Sequence, residues 1–321
     1  MKFIFLDEWV WIDIRKNILN ENDAKDIRPV IDKIEEKSKS GEWVFPISAE
    51  HLSETQNTGD KLKRIVLGFL MDEVSHGYSI LQFSKLKDFE IDMMLQGQYA
   101  ENYRGDVIKQ DMLNIWGGTS RELFEKACQE EGIEKNSHMY NLVWQIYSLH
   151  TANDHRIAMS MIEPELISEE IKEMHVKILD NLKQKDIAEP YISVEQFMMY
   201  TLEQYYSEEQ QMRILSFFSD EIKKADKPNA KTLLNLFRKL PTYYTNCMLI
   251  YKNMKMQNVN KESHKNDFTD MLYLSYMIPY CDVVVTEKKW VNVAKQMKLE
   301  KEFNTLITAD IKELLTFDNT N

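Results

Sequence analysis

Four acidic side chains stand where the local pattern of apolar residues places strand ends and helix starts: Asp7, Glu54, Asp270 and Glu287. The stretch 266–290, NDFTDMLYLSYMIPYCDVVVTEKKW, carries two of them. Asp270 lies in an acid-bearing helix that runs into Pro279, and Glu287 follows the β-branched run Val283-Val284-Val285-Thr286. A chain that goes down a helix and back up a buried strand puts the helix start and the strand end on one side of the sheet. Asp7 ends the first apolar run, Phe3-Ile4-Phe5-Leu6. Glu50 and Glu54 are i, i+4 neighbours on one helix face. Asp267 shares a face with Asp270 at i, i+3 and also suits an N-cap. Glu50 and Asp267 are therefore supporting candidates behind the four principal acids. Asp282 begins the strand that Glu287 ends, about 16 Å away along an extended chain, so it belongs to a structural turn.

Carboxylates gathered in one place raise each other's pKa, so such a site must take up protons or cations. A hard divalent ion, Mg²⁺ or Mn²⁺, prefers these oxygen ligands. A bound ion lowers the pKa of a water and stabilises charge on a phosphoryl oxygen. The chemistry such acids suit is metal-assisted phosphodiester hydrolysis at the carboxyl edge of a parallel sheet, where open α/β folds place their ligands.

The elements that must position these acids follow from periodicity and punctuation. A strand at Phe3–Leu6 precedes an amphipathic helix over 23–37, and Gly41 breaks the chain before a second buried strand at Trp43–Ile47. Ser48 caps the helix that carries Glu50, His51 and Glu54. From about 57 to 227 the spacing is almost entirely helical, with Leu62/Ile65/Val66/Phe69 and Leu142/Ile146/Leu149 as apolar stripes. Thr119-x-x-Glu122 forms a capping box for a helix to Gln129, and Pro164, Pro190 and Pro228 punctuate the remainder. The α/β alternation resumes with a helix from Asp267, the 283–286 strand, a helix over 290–297 and a strand at 304–308. Neither end of the chain is long enough to bury a core alone, so the two ends are expected to build one α/β domain (1–56 with 235–321) interrupted by a helical insertion (57–234).

The composition bounds the function. Only 9 Gly and 7 Pro in 321 residues favour long helices. Cys128, Cys247 and Cys281 have no metal-site spacing and cannot all pair, which points to a reducing, cytoplasmic setting. Asp7, Glu8 and Asp13 interrupt the N-terminal apolar run, arguing for a first strand and not a signal peptide. No run approaches 18 apolar residues, so no membrane partner is expected. Phosphate-binding glycine loops and nucleophile elbows are missing, and the five-residue spacing of His150 and His155 does not match a helical zinc pair.

The net charge of −12 is unevenly spread. From Ile222 to Lys265, ten basic residues face two acids, a net of +8 that leaves −20 for the rest. Phe237, Tyr243, Tyr244 and Tyr251 lie among those bases, the mix that follows a phosphate backbone and stacks on bases. Lys231, Arg238, Lys239, Lys265 and Lys288 are the expected nucleic-acid contacts.

The acids also resemble a family, the PIN-like nucleases. LDEWVWIDI around Asp7, PISAEHLSE with Ser48 six residues before Glu54, and Asp270 seventeen residues before Glu287 are similar to that family's order and spacing. The resemblance covers roughly 1–60 and 235–315. It implies a three-layer α/β/α fold with a central, mainly parallel sheet, interrupted here by the helical insertion. It also implies an endonuclease using Mg²⁺ or Mn²⁺, acting on RNA more than on DNA. The family more often has Asp at the position of Glu287, and the extra methylene shifts that ligand by about 1.5 Å. The competing expectation is a catalytically inactive PIN-like scaffold whose insertion binds a protein or RNA partner.

Overall fold

The computed structural model describes residues 1–56, 59–111, 114–115, 120–135, 137–144, 192–256 and 265–317. The Thr119 capping box, most of the Leu142 stripe, His150, His155, Pro164 and Pro190 lie outside the described residues. The fold is α/β and mostly helical, with four strands in parallel pairings. The chain divides into two compact units: Met1–Gln82 with Asp106–Pro164 and Asp310–Asn321, and Phe83–Gly105 with Glu165–Ala309.

In the first unit, β1 (Lys2–Leu6) leads directly into α1 (Glu8–Ile18), and α2 (Arg28–Lys39) precedes β2 (Trp43–Val44). The strands β1 and β2 run parallel in the register Lys2↔Trp43 and Phe3↔Val44. Phe3, Ile4, Phe5 and Leu6 are all buried, as expected for a strand covered on both faces. Helix α1 buries Val10, Trp11 and Ile14 and was not evident from the sequence, because Glu8 and Asp13 are themselves buried on it and break the amphipathic pattern. The expected helix over 23–37 begins only at Arg28. Pro29 fits the first turn of this helix, where no N–H is needed.

Helix α3 (Ala49–Gln56) follows β2 as expected, and α4 (Lys61–Ser75) packs on α1, α2 and α3. A pair of two-residue strands, β3 (Ser79–Ile80) and β4 (Ile108–Lys109), is antiparallel and lies within sequence read as helical. Two residues are too few to show a period of two. Ile47 bridges to Ser79 beside this pair.

The second unit begins with α5 (Phe83–Leu95) and α6 (Ala100–Val107), of which residues up to Gly105 belong to it. Helix α7 (Ser120–Glu130) belongs to the first unit. The second unit then runs α8 (Val194–Tyr205), α9 (Glu208–Lys224), α10 (Ala230–Phe237), α11 (Pro241–Met256) and α12 (Lys265–Tyr280). Its α/β part is β5 (Val283–Val285), α13 (Lys288–Gln296), α14 (Leu299–Phe303) and β6 (Leu306–Thr308). Helices α11 and α12 form the principal helix pair, and β5 and β6 are parallel with Val283↔Leu306, Val284↔Ile307 and Val285↔Thr308 in register.

Buried Glu90 on α5 ties this unit together. Its carboxylate accepts from the Thr242 backbone N–H at 3.0 Å, from the Thr242 hydroxyl, and from the Tyr280 hydroxyl at 2.6 Å. Pro241 occupies the first position of α11, so Thr242 offers the first N–H of that helix, and a carboxyl group is favoured at a helix N-terminus. Burial works the other way and lifts the Glu90 carboxyl to about 7. Among the described residues, no helix is long and apolar enough to cross a membrane.

Candidate active site

Asp7 follows the last residue of β1 and stands at the N-cap position of α1 with extended backbone, yet its side chain makes no capping bond to that helix. It is buried. The neighbouring helix is fixed to the same strand end through His51. The imidazole Nε2–H donates to the Leu6 carbonyl at 2.7 Å, and Nδ1 accepts from the Ser48 N–H at 3.2 Å. Only the neutral ring has one donor and one acceptor, and burial drives the His51 pKa down to about 4. The ring also stacks on Phe5, with centroids 4.9 Å apart. Ser48 in turn accepts from the His51 N–H at 3.3 Å, the expected cap. Glu50, buried, and Glu54, half-buried, are thus carried on a helix anchored at the carboxyl end of β1.

Glu8, adjacent to Asp7, is a residue the sequence reading passed over. It is buried, receives a hydrogen bond from Thr55 on α3 at 3.4 Å, and its Oε2 has no hydrogen-bond partner. Burial first, and the Asp7 charge second, push the Glu8 carboxyl up to about 8. Its surroundings thus favour the neutral form of the carboxyl. The only signal in the sequence was two adjacent acids at a strand end.

In the second unit, the first two turns of α12 and the first turn of α13 are joined by their side chains. Asp267 forms an ion pair with Lys289 at 2.5 Å, and Asp270 accepts from the Trp290 indole N–H at 2.9 Å. Tyr273 also donates to Asp270, at 3.5 Å. Glu287 follows β5 and Thr286, is exposed, and stands at the N-cap of α13 without a side-chain capping bond. Asp267, Asp270 and Glu287 are thereby held around the chain segment that leaves the carboxyl end of β5. Trp290 was expected only as the start of a helix and Lys289 had no assigned role, and nothing in their spacing named their acidic partners. Asp282 has the structural role expected of it, pairing with Arg104 at 3.2 Å.

Asp7, Glu50 and Glu54 belong to the first unit, and Asp267, Asp270 and Glu287 to the second. Among the described residues, no group of three or more His, Cys, Asp or Glu side chains is gathered closely enough to hold a metal ion. Asp7 and Glu287 follow parallel strands, while Glu50, Glu54, Asp267 and Asp270 lie on helices; carboxylate oxygens are the donor type that hard cations prefer.

The expected nucleic-acid contacts separate into different kinds. Lys231 and Lys288 are exposed. Arg238 is committed within the fold: it pairs with Glu302 at 2.8 Å, donates to Asn235 at 2.7 Å and covers the Tyr244 ring. Lys239 lies over the ring of Tyr99, 4.4 Å from its centroid. Lys265 opens α12, and its side chain lies outside the described residues. The aromatic residues read as a stacking surface are mostly core instead. Phe237, Tyr243 and Tyr244 are buried, and half-buried Tyr251 donates to the Ile192 carbonyl at 2.9 Å. Their rings fill the packing around α11, and a sequence cannot distinguish an aromatic facing a helix from one facing water.

No protein-family model, curated protein or solved structure matches this chain.

Proposed function

We propose that the chain is a divalent-metal-dependent endonuclease with a PIN-like three-layer arrangement, hydrolysing phosphodiester bonds in single-stranded RNA more readily than in DNA. The observation that carries the proposal is that acids stand at the carboxyl ends of both parallel strand pairs. Each acid set is also braced by a neighbouring helix, through His51 on one side and Trp290 on the other. Asp7 and Glu54 of the first unit, and Asp270 and Glu287 of the second, are the acids proposed to serve as cation ligands, with Glu50 and Asp267 supporting them within their own units. Bound Mg²⁺ or Mn²⁺ would supply Lewis acidity at the phosphoryl oxygen and a water of lowered pKa. Exposed Lys231 and Lys288, with Lys239, would hold the phosphate backbone against the repulsion of an otherwise acidic protein.

A specific observation favours a second reading, a PIN-like scaffold without catalysis whose helices bind RNA or a protein. Lys289 already neutralises Asp267, and the Trp290 N–H already occupies an Asp270 oxygen. Both interactions compete with a cation.

Cleavage of end-labelled single-stranded RNA with Mn²⁺, comparing wild type with Asp7→Asn and Asp270→Asn, tests the first reading. Metal-dependent cleavage that both substitutions abolish supports the nuclease. Equal cleavage by wild type and variants removes these residues from any site. Calorimetry with Mn²⁺ that finds no carboxylate-dependent binding favours the scaffold.

A further inference from the structure

The buried rings of the basic segment leave open which aromatic group meets a nucleobase. We propose that Tyr99 is that group: a stacking subsite for one unpaired base, with Lys239 and Lys231 taking the adjoining phosphates. The inference rests on the nucleic-acid-binding half of the function proposed above and not on its metal chemistry.

Tyr99 is 53% exposed, in contrast to Phe237, Tyr243 and Tyr244. Its backbone is nevertheless firmly set. Helix α5 ends with Gly97 in the left-handed region at φ 72°, where the Gly97 N–H bonds to the Met94 carbonyl and the Gln98 N–H to the Met93 carbonyl. This double closure is the C-terminal motif for which glycine is favoured. The Tyr99 carbonyl then accepts from the Asn102 N–H at 2.9 Å in the first turn of α6. A backbone already set between two helix ends needs no ordering when a base stacks on the Tyr99 ring, so less of the stacking energy is spent on the site.

Lys239 brings charge to this ring. It lies in the turn between α10 and α11, with its ammonium 4.4 Å from the Tyr99 centroid and 5.9 Å from that of Phe217 on α9. Helix α9 is fastened along α5 by Gln210 to Asp88 and by the Arg213–Asp92 pair, so the three groups belong to one surface of the second unit. Exposed Lys231 lies on α10, the helix that leads to Lys239. The acids following Phe217, Asp220 and Glu221, are paired with Lys223 and Lys224, which limits local repulsion of a phosphate. With Lys239 over one side of the ring, the solvent-exposed part of Tyr99 is left for a base. An exposed aromatic joined to lysines in the one strongly basic segment of an acidic chain fits the face of an unpaired nucleobase and the negative charge of its backbone.

The test is fluorescence anisotropy of the full chain with labelled oligouridylate, oligodeoxythymidylate of equal length and a duplex, all in EDTA so that binding is separated from cleavage. Tyr99→Ala is expected to weaken single-strand binding by roughly five-fold or more, as loss of a stacked base does. Tyr99→Phe, which keeps the ring, should bind like wild type. Lys239→Gln should reduce the dependence of log affinity on log salt by about 0.7. The two single strands distinguish RNA from DNA as the source of the base, and the duplex should bind least. Equal single-strand affinity for Tyr99→Ala and wild type overturns the subsite, as does absence of binding by wild type. Cleavage sensitive to Asp270→Asn with Tyr99-independent binding would leave the nuclease standing and remove this subsite. Tyr99-dependent binding without metal-dependent cleavage would do the reverse.

Discussion

His51 donates to the backbone carbonyl of Leu6 across 2.7 Å, joining the first turn of α3 to the last residue of β1. This bond ties the helix that carries Glu50 and Glu54 to the carboxyl end of β1. Replacing His51 with Phe keeps the ring against Phe5 but leaves the Leu6 carbonyl and the Ser48 N–H without their partner. Two buried backbone groups left unsatisfied should together cost about 2–6 kcal/mol in denaturant unfolding. A loss below about 0.5 kcal/mol would mean that the helix is held by packing alone.

The pH dependence of stability should report Glu90. Its carboxyl titrates near 7 in the folded chain, against an ordinary value of 4.5. Below pH 4.5 both states are protonated and the group is neutral toward stability. As pH rises from 4.5 to 7 the unfolded chain releases its proton first, so the folded state loses stability. Above 7 the loss is constant, about 3 kcal/mol at 1.36 kcal/mol per unit. Glu90→Gln keeps an acceptor for Thr242 and Tyr280 and removes the charge. Thermal melts should show variant and wild type nearly equal at pH 4.5, with the variant's lead growing to pH 7 and then level. A lead independent of pH would assign the effect to packing.

On the nuclease reading, Lys289 competes with the proposed cation for Asp267. Its ion pair with Asp267 is partly exposed, so its contribution is modest. Lys289→Gln should raise Mn²⁺ affinity several-fold in calorimetry. Unchanged affinity would show that Asp267 takes no part in the cation's surroundings.

The two kinds of basic residue should behave differently in oligonucleotide binding. Lys231→Gln and Lys288→Gln should each lower the slope of log affinity against log salt by about 0.7, with unfolding midpoints unchanged. Arg238→Gln should instead lower the unfolding midpoint, because Glu302, Asn235 and the Tyr244 ring lose their shared partner. A normal midpoint with a reduced slope for Arg238→Gln would make it a phosphate contact after all.

The sequence by itself determined the local features: a buried strand before Asp7, a serine cap before Glu50, and the β-branched strand before Glu287. Each is fixed by a few neighbouring side chains, through alternation, capping or branching, and those forces act over one or two turns. Helix α1 escaped notice because its acids are buried, and β3 and β4 because two residues carry no period. Tertiary structure alone decided which groups meet: His51 with Leu6, Lys289 with Asp267, Trp290 with Asp270, Lys239 with Tyr99. It also decided that Tyr243 and Tyr244 face the core while Tyr99 faces solvent. Partners separated along the chain are chosen by packing of whole helices, and the same aromatic side chain serves equally well on either side of that packing.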